Sequence, residues 1–395
     1  MATGAISRRG LLRGGLGVAC SAAAHPWLST MTMAATPGDA RLVVIVLRGA
    51  MDGLGILPPV SDRLFADYRP KLAKSAGNAL PLDGYFALNE TMAPLMPLWE
   101  AGELGFVQAV STPYRDKRSH FDGQDLLEAG TGMDVVLAAQ RDGWLNRMLQ
   151  AMPGITAKTA FAVGRDEMKI LSGDAPALQW SPDADVTLSP QAQLLLEHIY
   201  APDPLFSEAA GEALGLAAEI DREALSPLST GPRQEPMAAF AAARLLQETR
   251  IVSYSLSGWD THRAQDGALS RALNLLQRSI LTLKEGLGPV WGKTAVLAMT
   301  EFGRTVAENG SGGTDHGTGG AMLLAGGALR GGRVYGDWPG LAEADLYARR
   351  DLMPTADVRA YAAWVMRGLY GMDRGLLEGS VFPGLDLGAD PGLLA

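Results

Sequence analysis

The chain has 395 residues, 47% of them hydrophobic, with 43 acidic against 34 basic side chains and a net charge of −9. That balance argues against nucleic acid or an anionic membrane surface as a partner, because both are gripped by basic patches. The apolar content suits a well-buried core, and the length fits one large α/β domain with insertions.

The first element along the chain is a targeting segment. Ser7-Arg8-Arg9-Gly10-Leu11-Leu12-Arg13 sets an arginine pair ahead of leucines. An apolar, Gly/Ala-rich stretch runs from Gly14 to Ala24, and small residues stand at Ala34 and Ala35. Basic start, apolar middle and small-residue end predict a signal peptide over residues 1–35, and the arginine pair resembles a twin-arginine signal. The apolar stretch is shorter than the ~20 residues that span a bilayer, so no stable membrane anchor is expected. The expected destination is the periplasm or the exterior, with the twin-arginine translocase as partner during export. Removal of this segment takes three arginines and no acids, leaving 31 basic and 43 acidic residues and a net charge of −12. Cys20, the only cysteine, leaves with it. Disulfides and thiolate metal sites are thereby excluded, and any metal must be held by oxygen and imidazole.

Six strands are predicted in the remainder. Leu42–Leu47 is a continuous aliphatic run, the pattern of a parallel strand buried on both faces. Leu104–Val110, Ala160–Val163, Arg250–Leu256, Thr294–Met299 and Met322–Ala325 follow. Helical spacing marks His120–Ala129, Gly143–Ala151, Gln191–Tyr200, Pro236–Thr249 and Ser270–Glu285, the last with Gly286 as its stop. Thr355–Leu369 is a C-terminal helix with Thr355 as cap. Strands alternating with helices predict an α/β fold over residues 40–395, a central, mainly parallel sheet covered by helices on both faces. In such sheets ligands bind beyond the carboxyl ends of the strands. Residues 171–231 are less regular and read as an inserted cap. The glycine-dense loops Gly310–Gly320 and Gly326–Gly336 either flex or let backbone approach a ligand.

Chemistry-bearing residues gather in the loops. Asp260 and His262, two apart after the fourth strand, point to one side of an extended segment and can grip one cation; otherwise Asp260 caps the next helix. Glu301 follows the fifth strand, with Arg304 close by, either as metal ligand and anion contact or as a simple ion pair. Asp315-His316 sits in a glycine run that offers little to pack, which points to function. Asp52 after the first strand is a ligand or a turn residue before Gly53. In Arg118-Ser119-His120-Phe121-Asp122, Ser119 caps a helix or is a nucleophile at its N-terminus. Zinc accepts His and carboxylate, whereas manganese and magnesium prefer more oxygen. Such a metal polarises an ester oxygen and activates a hydroxyl or water.

Taken together, Leu42–Gly53, Ser119-His120-Phe121-Asp122, Gly143-Trp144-Leu145, Gly258–His262, Thr300–Thr305 and Asp315-His316-Gly317 make the chain resemble the "domain of unknown function 1501" family of exported proteins. That family is similar to a distant branch of the alkaline phosphatase and sulfatase superfamily. The resemblance implies an alkaline phosphatase-like fold and an enzyme that hydrolyses or transfers phosphate or sulfate esters of a small molecule or glycan. It implies one or two divalent ions, zinc first, with manganese, magnesium or calcium as alternatives. It assigns Asp52, Asp260, His262, Glu301 and His316 to the metal, with Asp315 in place of an imidazole that Phe302 displaces. Ser119 fills the nucleophile slot, and Arg304 or Arg118 steadies the anion. No Cys-x-Pro-x-Arg sequence is present, which excludes formylglycine chemistry. A non-catalytic periplasmic binding or assembly factor on the same fold is the alternative.

Overall fold

The computed structural model of the chain describes residues 38–133, 142–165, 168–181 and 235–395. The expected signal peptide, the helix at 191–200 and the expected insertion from residue 182 onward lie outside these residues. A nine-stranded sheet forms the centre. Its strands are β1 (Arg41–Arg48), β2 (Leu104–Ser111), β3 (Ala160–Val163), β4 (Leu178–Trp180), β5 (Ile251–Ser257), β6 (Thr294–Met299), β7 (Gly320–Ala325), β8 (Val334–Tyr335) and β9 (Ala356–Asp357). The spatial order is β8-β2-β7-β6-β1-β5-β3-β4, with β9 also on β2.

β1 lies in the middle, in parallel register with β5 and β6. Its side chains alternate between two cores. Leu42, Val44 and Val46 join one, while Val43, Ile45 and Leu47 join the other. All six are fully buried, so the uninterrupted aliphatic run is a strand covered on both faces. Each such side chain contributes about 1.5–3 kcal/mol of burial. The first face carries α2 (Trp144–Gln150) and α5 (Val358–Tyr370); the second carries α3 (Pro236–Leu245) and α4 (Gln265–Leu287).

The sheet is mainly parallel, with β7 as the reversed strand: it pairs antiparallel with both β2 and β6. The loop that precedes β7 therefore emerges at the same edge as the loops that follow β1, β2, β5 and β6. That reversal brings residues 312–319 to the site.

Two predicted boundaries move for physical reasons. α4 does not stop at Gly286 but runs to Leu287, with Gly288 in the left-handed region at φ +51° beyond it. Gly286 serves packing instead, since a Cβ there would lie 2.7 Å from the Ala242 Cβ on α3. α5 is capped by Asp357, whose carboxylate accepts from the Arg359 N–H at 2.9 Å. The Thr355 hydroxyl is already committed, donating to the Asp337 carbonyl at 2.8 Å. Among the described residues no helix is long and apolar enough to cross a membrane.

Candidate metal centre

Four loops at the carboxyl edge of the sheet converge on one cluster. α1 (His120–Ala129) follows β2 and starts with His120; Asp260 and His262 follow β5; Arg304 follows β6; His316 precedes β7. His120, Asp260 and His316 bring donor atoms within 4.8 Å of one another. Asp260 Oδ1 is the hub, 3.5 Å from His120 Nε2, 3.1 Å from His262 Nε2 and 3.4 Å from His316 Nε2. His262 Nε2 and His316 Nε2 are 2.9 Å apart. On a tetrahedral zinc with bonds of about 2.0–2.1 Å, donor atoms are spaced by roughly 3.3 Å. The observed spacings bracket that value.

Each imidazole is held from behind through its Nδ1. His120 Nδ1 meets Glu301 Oε1 at 2.8 Å, His262 Nδ1 meets Asp315 Oδ1 at 3.2 Å, and His316 Nδ1 meets the Arg118 carbonyl at 2.9 Å. All three partners accept, so each Nδ1 carries a hydrogen and each ring points its Nε2 inward. Two Nε2 atoms 2.9 Å apart beside a carboxylate need a positive charge between them, supplied by a shared proton or a metal ion. His120 Nε2 is moreover buried without a hydrogen-bond partner. The donor set of His120, Asp260 and His316 therefore fits a divalent ion, with His262 Nε2 beside Asp260 and His316.

The Glu301 hydrogen bond pushes the His120 imidazole above its ordinary range, against the effect of burial. Burial pushes His316 down, so it favours the neutral, ligating form. Burial would raise the Asp260 carboxyl, but the charges of Arg304, His262 and His120 outweigh it and hold the group below its usual range. Arg304 is fully buried and donates through Nη2 to Asp260 Oδ1 at 2.8 Å. Its Nε and Nη1 have no hydrogen-bond partner. Its unpaired nitrogens are sealed behind Asp260, so Arg304 acts on the site through its charge.

Of the residues singled out by sequence, the structure brings Asp260, His262 and His316 together and sets Arg304 against them. It places Glu301 one layer back. Glu301 Oε1 accepts from the N–H groups of Gly49 and Ala50, both at 3.0 Å, and from Gln124 at 3.2 Å as well as from His120. Oε2 accepts from the Thr300 hydroxyl at 2.8 Å. A carboxylate so saturated orients His120 instead of ligating. Asp315 likewise stands behind His262, steadied by Asn309 at 3.1 Å. Asp52 is not in the cluster: both its oxygens are clamped by the buried Arg69, at 2.6 and 3.0 Å, and Gln265 adds a third contact. Ser119 caps α1, accepting from the Asp122 N–H at 3.4 Å. Arg118 contributes its carbonyl to His316, at a backbone φ of +54° that aims it there. Asp260 caps no helix, since α4 begins after Ala264 without a side-chain cap.

His120 is the imidazole of this cluster that sequence reasoning passes over in favour of its neighbour Ser119. The available signal is that it shares with His262 and His316 a polar loop beside a strand. Phe302 supports it, stacking on the imidazole at a centroid distance of 5.3 Å. Glu301→Gln is an expected partial failure. The amide keeps the shape and the donors around Oε1, so the protein should fold. Metal affinity should fall roughly 10–100-fold as the charge behind His120 goes. Unchanged affinity in a competition titration with a chelator would contradict the role given to Glu301.

A model of the family described as "Protein of unknown function (DUF1501)" matches residues 108–371. A search of the curated proteins finds no match. Among solved structures, the chain is similar to the lipoteichoic acid synthase LtaP from Listeria monocytogenes, with a TM-score of 0.40, 9% identity and coverage of 88% of this chain and 76% of that one. It is similar to the C-terminal periplasmic domain of EcEptC from Escherichia coli in complex with Zn, with a TM-score of 0.34, 11% identity and 74% of each chain covered. It is also similar to a protein in the alkaline phosphatase superfamily from Vibrio parahaemolyticus, with a TM-score of 0.35, 11% identity and coverage of 84% and 67%.

Proposed function

The chain belongs to the DUF1501 family, and we propose that it is an exported metal-dependent enzyme that hydrolyses or transfers phosphate or sulfate esters. One observation carries this reading. Three imidazoles, each anchored through Nδ1, turn their Nε2 atoms toward one carboxylate oxygen beside a buried arginine.

His120, His262, His316 and Asp260 would hold the ion, and an imidazole-rich set favours zinc over magnesium or calcium. When bound, such an ion polarises an ester oxygen and lowers the pKa of a hydroxyl or water. The buried Arg304 guanidinium, paired with Asp260, would favour negative charge growing on the ester oxygens. Glu301 and Asp315 keep two imidazoles in the ligating tautomer. Ser119, next to His120 at the start of a ten-residue helix, offers the attacking oxygen. Export rests on the arginine pair and apolar stretch of the first 35 residues. A small-molecule or glycan ester is the substrate class, and the twin-arginine translocase the transient partner.

The test is elemental analysis of protein purified from the periplasm, followed by a screen of phosphate and sulfate monoesters and diesters. About one equivalent of zinc per chain and turnover that Ser119→Ala reduces by 100-fold or more support the reading. Metal without turnover on any ester moves the protein to a binding or assembly role. Protein that takes up no zinc, manganese, magnesium or calcium when these are supplied overturns the reading.

A further inference from the structure

Beside His316 the site has a second wall made of two loops, 115–118 and 347–351. Together they carry the cations Arg115, Lys117, Arg118, Arg349 and Arg350 against only two carboxylates, Asp116 and Asp351. In a chain of net charge −9 that concentration runs against the average. Arg118 and Arg350 share one buried carboxylate: Arg350 Nη1 lies 3.2 Å from Asp351 Oδ1 and Arg118 Nη2 lies 3.9 Å from Oδ2. Asp351 is fully buried, so the two arginines share a single carboxylate within the wall. The two side chains are 43% and 34% exposed, although Arg350 Nη1 is itself buried.

Both arginines are also tied to a proposed ligand. The Arg118 carbonyl accepts from His316 Nδ1, and Arg350 Nη2 donates to the His316 carbonyl, each at 2.9 Å. An independent observation comes from the backbone. Asp116, Arg118, Ala348 and Arg349 all have φ between +50° and +67°, which is four of the seven non-glycine residues in that region among those described. Side chains avoid this conformation, and it persists where the surroundings over-determine it, often at functional sites. The two strained loops are latched to each other by the Tyr347 hydroxyl, which donates to Asp116 Oδ1 at 2.9 Å, and by Arg115 over the Tyr347 ring. The strain and the latch hold Arg118 and Arg350 on one side of His316.

We propose that this wall is a second anion subsite, so that the substrate carries a phosphate or sulfate group besides the ester at the metal centre. Planar guanidinium groups suit such an oxyanion, which they bind through paired N–H contacts. Asp351 tunes the subsite by cancelling part of its charge. This deepens the functional reading above and rests on it.

Binding is measured by calorimetry on the full mature chain, with propane-1,3-diyl bisphosphate compared with propyl phosphate, and metal content is determined on the same samples. The wild type should prefer the bisphosphate by about tenfold or more. Arg118→Gln, which keeps the backbone carbonyl on His316, and Arg350→Lys should each erase most of that preference without loss of metal. Asp351→Asn should raise bisphosphate affinity several-fold, a gain that general damage does not produce. No preference in the wild type, or a preference indifferent to all three substitutions, overturns the proposal. A preference seen in protein that binds no metal would retain the subsite and reject the metal centre, which keeps the two readings separable.

Discussion

Replacing His120 by alanine should strip the metal from the protein and leave it folded. His120 supplies an Nε2 that is buried, unpartnered and 3.5 Å from Asp260 Oδ1, so its removal takes away a direct donor. The affinity loss should exceed the roughly 10–100-fold expected of a partner one layer back, such as Glu301. The fold should survive because Glu301 keeps the Gly49, Ala50 and Gln124 donors after the imidazole is gone. One lost hydrogen bond to a charged group costs about 1.5–3 kcal/mol. His316→Ala should behave alike in metal content. Circular dichroism with elemental analysis checks both; wild-type metal content in a folded His120→Ala protein would remove His120 from the centre.

Replacing Arg69 by methionine should cost about 3–5 kcal/mol of stability, the largest loss expected of any substitution considered. Arg69 is fully buried and holds four acceptors at once. It clamps both oxygens of Asp52, and it donates to the carbonyls of Thr305 and Val306, each at 2.8 Å. Without it Asp52 is a buried charge facing only Gln265, and two carbonyls lose their donors. The pair is expensive to break but not obligatory: Arg69→Met combined with Asp52→Leu removes the orphaned charge and should recover part of the loss. Denaturant midpoints of the two single and the double variants measure this. A loss below about 1 kcal/mol in Arg69→Met would mean that Asp52 finds other partners or takes up a proton.

Arg69 also shows why Asp52 is hard to read from sequence. An aspartate after the first strand of a parallel sheet stands where ligands are expected, and its own neighbourhood gives no sign of a clamp. The clamp comes from a residue 17 positions away, just past the short helix Arg63–Tyr68, and its geometry depends on where the 305–306 backbone passes. Glu301 presents the same difficulty. Its position at the end of β6 is legible, but its donors Gly49 and Ala50 are some 250 residues away in sequence. Only their approach turns a ligand-like carboxylate into a support for His120.

What the sequence by itself determined are six of the nine strands, the two-faced core and the edge at which chemistry collects; the short strands Leu178–Trp180, Val334–Tyr335 and Ala356–Asp357 were not among them. Unbroken aliphatic runs can be satisfied only by burial on both faces, and polar loops after such runs emerge at one edge of a parallel sheet. Asp260, His262 and His316 could be named on that basis. The tertiary structure alone decided which donors face inward and which stand behind them. It decided that β7 runs in reverse and so delivers His316 from the loop before a strand. It also brought His120 alongside Asp260 and His316. Local pattern records periodicity and turn chemistry, whereas the direction of a side chain at a loop crossing depends on contacts between distant segments.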